Sequence, residues 1–120
     1  MSHILTAIIP CNDLDVSETF YNRLGFRRPS SDGTDDEMYR ILEDGQGGHL
    51  HLRRAEAGWV IPGKNPFGVY LYTKDVDQLA TVFADEIIEK NAPENKPWGM
   101  YEFALSDPDG TLVRIGWPSR

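Results

Sequence analysis

Few side chains in this 120-residue chain have types and spacing suited to catalysis, and they are poorly grouped. His49 and His51 stand one residue apart in a run of strand composition, so they share a face and suggest half of a zinc site. No cysteine and no third histidine accompanies them at ligand spacing. Asp107 and Asp109 look like paired carboxylates for acid-base work. Pro108 and Gly110 make that stretch a turn, where aspartate side chains bond to the backbone instead. Cys11 lacks a basic neighbour to generate a thiolate and reads as packing at a strand end. There is no Gly-x-Ser-x-Gly turn and no phosphate loop, and Gly45 to Gly48 reads as a flexible turn.

The chemistry on offer is recognition. Trp59, Phe67, Tyr70, Tyr72, Trp98, Tyr101, Phe103 and Trp117 crowd the second half, and a chain of this size needs half or more of them in its core. Tyr70 and Tyr72 share a strand face, and Trp98 precedes Gly99, whose missing side chain would let a flat group approach. Arg114 follows the turn Asp107-Pro108-Asp109-Gly110. If Ser106 pairs with Thr111, Arg114 lies opposite Phe103 on one face. It is then either an edge arginine snorkelling past apolar neighbours or the polar anchor of a concavity. Aromatic walls together with a formal charge of −7 suit a planar, cationic ligand held by stacking and cation-π contact. The same charge argues against nucleic acid, whose binding requires clustered Lys and Arg.

The elements that must position these groups follow from periodicity and punctuation. Ile4 to Ile9 is a β-branched run that Pro10 stops, and Asp13 caps a helix with Leu14, Val16, Phe20, Tyr21 and Leu24 as its apolar stripe. Gly25 ends that helix, Phe26 to Arg28 opens a second strand, and Ser30 to Asp36 is polar. Glu37 to Leu42 and His49 to Arg53 are two more strands. Ala55 to Pro66, which holds Trp59, is the linker between modules of about 1–54 and 67–120 within a single domain. Phe67 to Thr73 is then a strand, and Asp75 caps a helix with Val76, Leu79, Ala80, Phe83 and Ile87 on one face. Pro93 to Pro97 interrupts before the hairpin of Tyr101 to Ser106 and Leu112 to Trp117. The first half thus reads β-α-β-β-β, and the segment order restarts in the second, the two aligned through Asp13-Leu14-Asp15 and Asp75-Val76-Asp77. No apolar run approaches the roughly 20 residues that span a bilayer, and the N-terminus lacks a basic segment followed by an apolar one. With a lone cysteine, the expected location is the cytosol.

The run from Pro97 to Trp117, with its Pro-Trp-Gly, Glu-Phe-Ala-Leu and Asp-Pro-Asp-Gly elements, resembles the C-terminal signature of the vicinal oxygen chelate superfamily. It is most similar to the bleomycin-resistance branch of that glyoxalase, bleomycin resistance protein and dioxygenase group. Phe20-Tyr21-Asn22-Arg23-Leu24-Gly25-Phe26 matches the family's helix-end motif, one residue shorter than its commonest form, and Met100 lengthens the run between Trp98 and Glu102 by one. The resemblance implies an α+β fold of paired βαβββ modules whose curved mixed sheets enclose a cleft.

In metalloenzymes of the superfamily, four inward-facing His or Glu positions hold a divalent ion. Carried over, they fall on Thr6, on His51 with His49 on the same face, on Gly68 or Val69, and on Arg114. A guanidinium has no lone pair to offer, so no metal and no cofactor are expected. The resemblance then implies that an antibiotic of the bleomycin type is bound unchanged at the interface of a homodimer. Phe67, Tyr70, Tyr72, Trp98 and Phe103 are the stacking candidates, His51 a polar contact, and Arg114 the anchor for a carbonyl or carboxylate. The alternatives are a metal-dependent lyase, isomerase, thiol transferase or dioxygenase of the same superfamily, and a small dimeric interaction module without a small ligand.

Overall fold

A computed structural model describes residues 3–29, 37–89 and 92–119. It divides into two units, Met1–Lys64 and Asn65–Arg120. The polar stretch Ser30 to Asp36 lies outside the described residues.

In the first unit, β1 (Ala7–Cys11) and helix α1 (Leu14–Arg23) lead to β2 (Tyr39–Glu43) and β3 (His49–Arg54). The sheet order is β1-β3-β2, with β1 parallel and β2 antiparallel to β3. The first strand begins three residues later than the composition suggested and runs through Pro10. Proline is tolerated because β1 is an edge strand, which leaves its missing N–H without a required partner. The expected strand at Phe26 to Arg28 is reduced to a single bridge, Arg27 to Glu43.

Asp13 does cap α1, accepting from the Val16 amide at 3.1 Å. The buried stripe of α1 is Leu14, Ser17, Glu18 and Tyr21 with Phe20 beside it, whereas Val16 faces solvent. Two polar residues fit under the helix because Glu18 takes Arg28 Nε at 2.7 Å and Arg40 Nε at 3.0 Å. A buried carboxylate is stable only when its charge is matched in this way. Ile9, Leu42, Leu50 and Leu52 complete this core, and Cys11 is buried with its thiol against the Ile9 carbonyl.

The second unit repeats the plan. β4 (Gly68–Tyr72) is followed by α2 (Val76–Val82) and a 3₁₀ turn at Ala84–Glu86, then by β5 (Glu94–Asn95), β6 (Met100–Ser106) and β7 (Leu112–Pro118). The order is β4-β7-β6-β5, with β4 parallel to β7 and the remaining pairs antiparallel. In each unit the strand before the helix therefore pairs in parallel with the last strand, as expected for one supersecondary unit used twice. Both sheets are mixed and neither is closed, which makes the class α+β.

The Pro93 to Pro97 stretch contains the short β5 rather than only an interruption. Helix α2 stops at Val82, and Asp75 makes no side-chain capping bond, unlike its counterpart Asp13. The apolar stripe nevertheless continues past the helix, since Val76, Ala80, Phe83 and Ile87 are all buried. They face Phe103, Leu105, Val113 and Ile115, which are buried on one side of β6 and β7.

Both hairpins of this unit use the same turn. Asp107 N–H bonds to Thr111 O at 2.9 Å around Pro108-Asp109-Gly110, and Lys96 N–H bonds to Met100 O at 2.7 Å around Pro97-Trp98-Gly99. Each is a three-residue loop in which proline presets the first position and a glycine with positive φ (84° at Gly110, 87° at Gly99) takes the third. As expected, Asp107 serves the backbone, its Oδ1 accepting from Asp109 N at 2.8 Å and Thr111 N at 2.9 Å. Asn65 ties the turn to the start of β4, donating to Thr111 Oγ1 at 2.9 Å and accepting from Phe67 N at 2.9 Å.

The three-residue loop changes the register. Ser106 pairs with Leu112, not Thr111, so Phe103 lies opposite Ile115 and Arg114 opposite Ala104. Side chains alternate along a strand, so this slip of one residue puts Phe103 and Arg114 on opposite faces of the sheet.

Candidate functional site

One face of the second sheet is covered by α2. On the other, the register sets Tyr70 beside Arg114, Tyr72 beside Gly116, and Gly116 beside Glu102. Glu102 is the centre of this face. Its Oε1 accepts from the Tyr70 hydroxyl at 2.8 Å and from Trp98 Nε1 at 3.0 Å, and its Oε2 accepts from Arg114 Nη1 at 2.7 Å. Its side chain has 0% exposure. Tyr70, Trp98 and Arg114 roof it themselves.

Each roof member has a local reason for its place. Trp98 is the middle residue of the Pro97-Trp98-Gly99 turn, which returns the indole over β6. Tyr70 lies across Gly116, where an added Cβ would fall within 2.7 Å of Glu102 Cβ and closer still to the Tyr70 hydroxyl. The Tyr70 and Tyr72 rings sit 4.6 Å apart, and the Arg114 guanidinium lies 6.0 Å from the Trp98 ring. The face therefore carries a tyrosine pair and an indole on either side of one cation. Tyr72 is 62% and Trp98 61% exposed, so their rings are open to a partner.

Burial pushes the Glu102 carboxyl up, but the bonds from Trp98, Tyr70 and Arg114 and the arginine charge outweigh it and hold the group below the ordinary 4.5. Tyr70 moves the other way. Burial, the bond to Glu102 and that carboxylate's charge all raise its phenol above the ordinary 10.0.

A lowered carboxylate contributes stability that is whole above its unfolded value and is lost as the pH falls from there to its lowered native value. The unfolding free-energy difference between the protein and its Glu102→Gln variant should therefore be constant near neutrality and shrink below about pH 4.5. Denaturant titrations at stepped acid pH measure this; a difference that grows on acidification would contradict it.

The residues named from sequence separate into groups. Tyr70, Tyr72, Trp98 and Arg114 share one face of the second sheet, as the register shows. Phe103 does not join them. It is 1% exposed in the core beneath α2, and the expectation that it stacks beside Arg114 came from the wrong hairpin register. Phe67 precedes β4 and is exposed. His51 belongs to the first unit. It shares the face opposite α1 with His49, and its Nδ1 is 2.7 Å from the Tyr39 hydroxyl. Gly99 meets a conformational need, because a Cβ there would have nothing within 4 Å.

Of the eight aromatic residues set out above, Phe103 alone is buried, whereas Trp59, Phe67, Tyr72 and Trp98 are exposed. The core is built instead on Phe20, Tyr21, Phe26 and Phe83. Trp59 lies 4.6 Å beneath the Arg53 guanidinium.

Sequence reasoning missed Glu102. The available signal was a lone carboxylate between Tyr101 and Phe103 in an otherwise apolar strand, facing a strand with one basic residue, Arg114.

The donor set does not fit a metal. Among the described residues no three His, Cys, Asp or Glu side chains come together. At the position that would complete a metal site, Arg114 is instead the ion-pair partner of Glu102.

A family model for the Glyoxalase/Bleomycin resistance protein/Dioxygenase superfamily matches residues 1–115. The chain belongs to this superfamily. Within it, solved structures similar to this chain include a bleomycin-binding protein complexed with bleomycin, 28% identical, with a TM-score of 0.77 over 98% of this chain and 100% of that one. A bleomycin resistance determinant encoded on the transposon Tn5 is also 28% identical, with a TM-score of 0.77 over 99% and 100%. TioX from Micromonospora sp. ML1, 20% identical with a TM-score of 0.75 over 98% and 99%, shares the fold. No curated protein matches the sequence. No helix among the described residues is long and apolar enough to cross a membrane. The superfamily includes enzymes as well as binding proteins, so function must be argued from the site itself.

Proposed function

We propose that this protein binds and sequesters, without chemical change, a planar, cationic glycopeptide-type antibiotic such as bleomycin, and that it does so as a homodimer without a metal ion. The observation that carries the reading is the exposed ring set Tyr72 and Trp98 beside Tyr70, held around the Glu102–Arg114 pair on one sheet face. Rings locked by hydrogen bonds to a buried carboxylate lose little freedom when a flat ligand stacks on them, so most of the stacking energy reaches the affinity. Two structural neighbours at 28% identity, one a bleomycin-binding protein and one a bleomycin resistance determinant, support the ligand class.

Self-association is supported by the apolar edge of the first unit, where Ile4, Leu5 and Ile8 are exposed, and by exposed Trp59. Sedimentation at micromolar concentration should give twice the chain mass, and a monomer there would remove this part of the proposal.

Calorimetric titration with bleomycin should give saturable binding, which Trp98→Ala weakens by about tenfold through loss of one stacking ring. A flat trace with bleomycin, or stoichiometric transition metal in protein purified without chelator, would overturn the sequestration reading.

A further inference from the structure

We propose that the ligand group seated beside Arg114 is a hydrogen-bond acceptor, a carbonyl or carboxylate borne on a flat ring, and that this face discriminates against a cation at that position. This rests on the binding reading above and names the chemistry it recognises.

Glu102 is the carboxylate at the centre of the face, and it has nothing to give. Both oxygens accept from protein donors, three bonds in all, and its side chain is sealed at 0% exposure. The Trp98 N–H and the Tyr70 O–H are both spent on it. At the β5 edge, Glu94 is neutralised by Lys96 at 3.0 Å.

Arg114 differs. Its side chain is 37% exposed, and among the described residues only one of its N–H groups, on Nη1, donates to a protein acceptor. A guanidinium carries five N–H donors and no acceptor, so what this residue can offer a ligand is donors in a planar fork. Glu102 holds that fork from beneath, which fixes its direction before any ligand arrives.

Rings flank the fork on both sides, Tyr70 and Tyr72 on β4 and Trp98 on the turn before β6. A flat ligand that stacks on either side brings its substituents to the guanidinium. An acceptor there gains a charge-assisted hydrogen bond, whereas an ammonium meets a like charge, and the carboxylates described on this face, Glu102 and Glu94, are already paired. The acidity of the whole chain therefore does not describe this face, where the central charges cancel.

Three probes sharing one ring system test this: 2-naphthoate, 2-naphthamide and 2-naphthylmethylammonium, each titrated calorimetrically alongside bleomycin. The naphthoate and the naphthamide should bind about tenfold tighter than the ammonium, the size of one hydrogen bond to a charged group. Arg114→Gln should abolish the preference. Because that variant leaves Glu102 unpaired and could fail to fold, the double variant Arg114→Gln with Glu102→Gln is made as well. It removes both charges while keeping an acceptor for Trp98 and Tyr70, and it too should bind all three probes alike.

An ammonium that binds as tightly as the naphthoate to the unaltered protein would overturn the proposal, as would a preference that survives in the double variant or silence from all three probes. Bleomycin that binds while the probes show no preference defeats this inference and leaves the sequestration reading standing. Silent bleomycin with a clear acceptor preference does the reverse.

Discussion

Replacing Glu102 by alanine is expected to lower the unfolding free energy by about 2–3 kcal/mol, the cost of leaving hydrogen-bond donors without their buried acceptor, while Arg114, 37% exposed, can turn to water. Three donors lose their acceptor at once, the Tyr70 hydroxyl, Trp98 Nε1 and Arg114 Nη1, and one of them carries a permanent charge. Glutamine should cost less, because its amide oxygen can still accept from Trp98 or Tyr70 while the charge against Arg114 is lost. The effect on binding should exceed what global stability explains. In Glu102→Gln the fold persists and the amide oxygen still accepts from the indole, but the guanidinium is no longer held in place, so bleomycin affinity should fall even where the protein is fully folded. Urea unfolding followed by calorimetry on the folded fraction separates the two effects. An alanine variant within 1 kcal/mol of the parent, on a scale where typical single substitutions cost roughly that much, would show that the carboxylate is not the keystone of this face.

The second large effect is expected at Gly116. Its φ is not among the positive ones, so the need for glycine there is steric rather than conformational. A side chain at this position would strike Glu102 Cβ and the Tyr101 carbonyl, 2.7 Å and 3.0 Å from the added carbon, and would push into the Tyr70 hydroxyl. Gly116→Val should therefore destabilise by about 1–3 kcal/mol, as overpacking generally does. It should also lift Tyr70 off Glu102 and weaken bleomycin by about tenfold to a hundredfold, or roughly 1.4–2.8 kcal/mol. Gly99→Ala is the informative contrast. No atom lies within 4 Å of its added carbon, but its φ of 87° penalises a Cβ, so it should cost stability through the turn and leave the Tyr70–Glu102 bond in place. A Gly116→Val variant that binds as tightly as the parent would show that the position of Tyr70 is irrelevant to recognition.

Much of the fold was legible in the chain because it is encoded locally. Asp13 before Leu14 marks a capped helix start, and its side chain accepts from the Val16 amide. Of the stripe Val76, Leu79, Ala80, Phe83 and Ile87, all but the half-buried Leu79 are buried, even though the helix itself ends at Val82. Pro108 and Gly110 announced a hairpin, and Asp107 bonds to its backbone as such aspartates do. Less local features were misread. By composition Pro10 ends a strand, but it sits inside β1, because whether a strand tolerates proline depends on its being at a sheet edge. By spacing Val16 belongs to the helix stripe, while the buried positions go to Ser17 and Glu18, the latter matched by Arg28 and Arg40 from elsewhere in the chain.

The amino-acid sequence by itself determined the strand-helix-strand plan used twice, the closing hairpin turn, the arginine where a metal ligand would stand, and the abundance of rings in the second half. Those properties reside in residue types and short spacings, which act over a few bonds. Tertiary structure alone decided which rings lie on the open face of the second sheet and which go into the core. The closing hairpin uses a loop of three residues, so every β6 side chain faces the opposite way from the four-residue expectation. Phe103 goes under α2, and Glu102 comes up beneath Tyr70, Trp98 and Arg114. Since side chains alternate with a period of two, a single residue of register separates a buried phenylalanine from the carboxylate that organises the site.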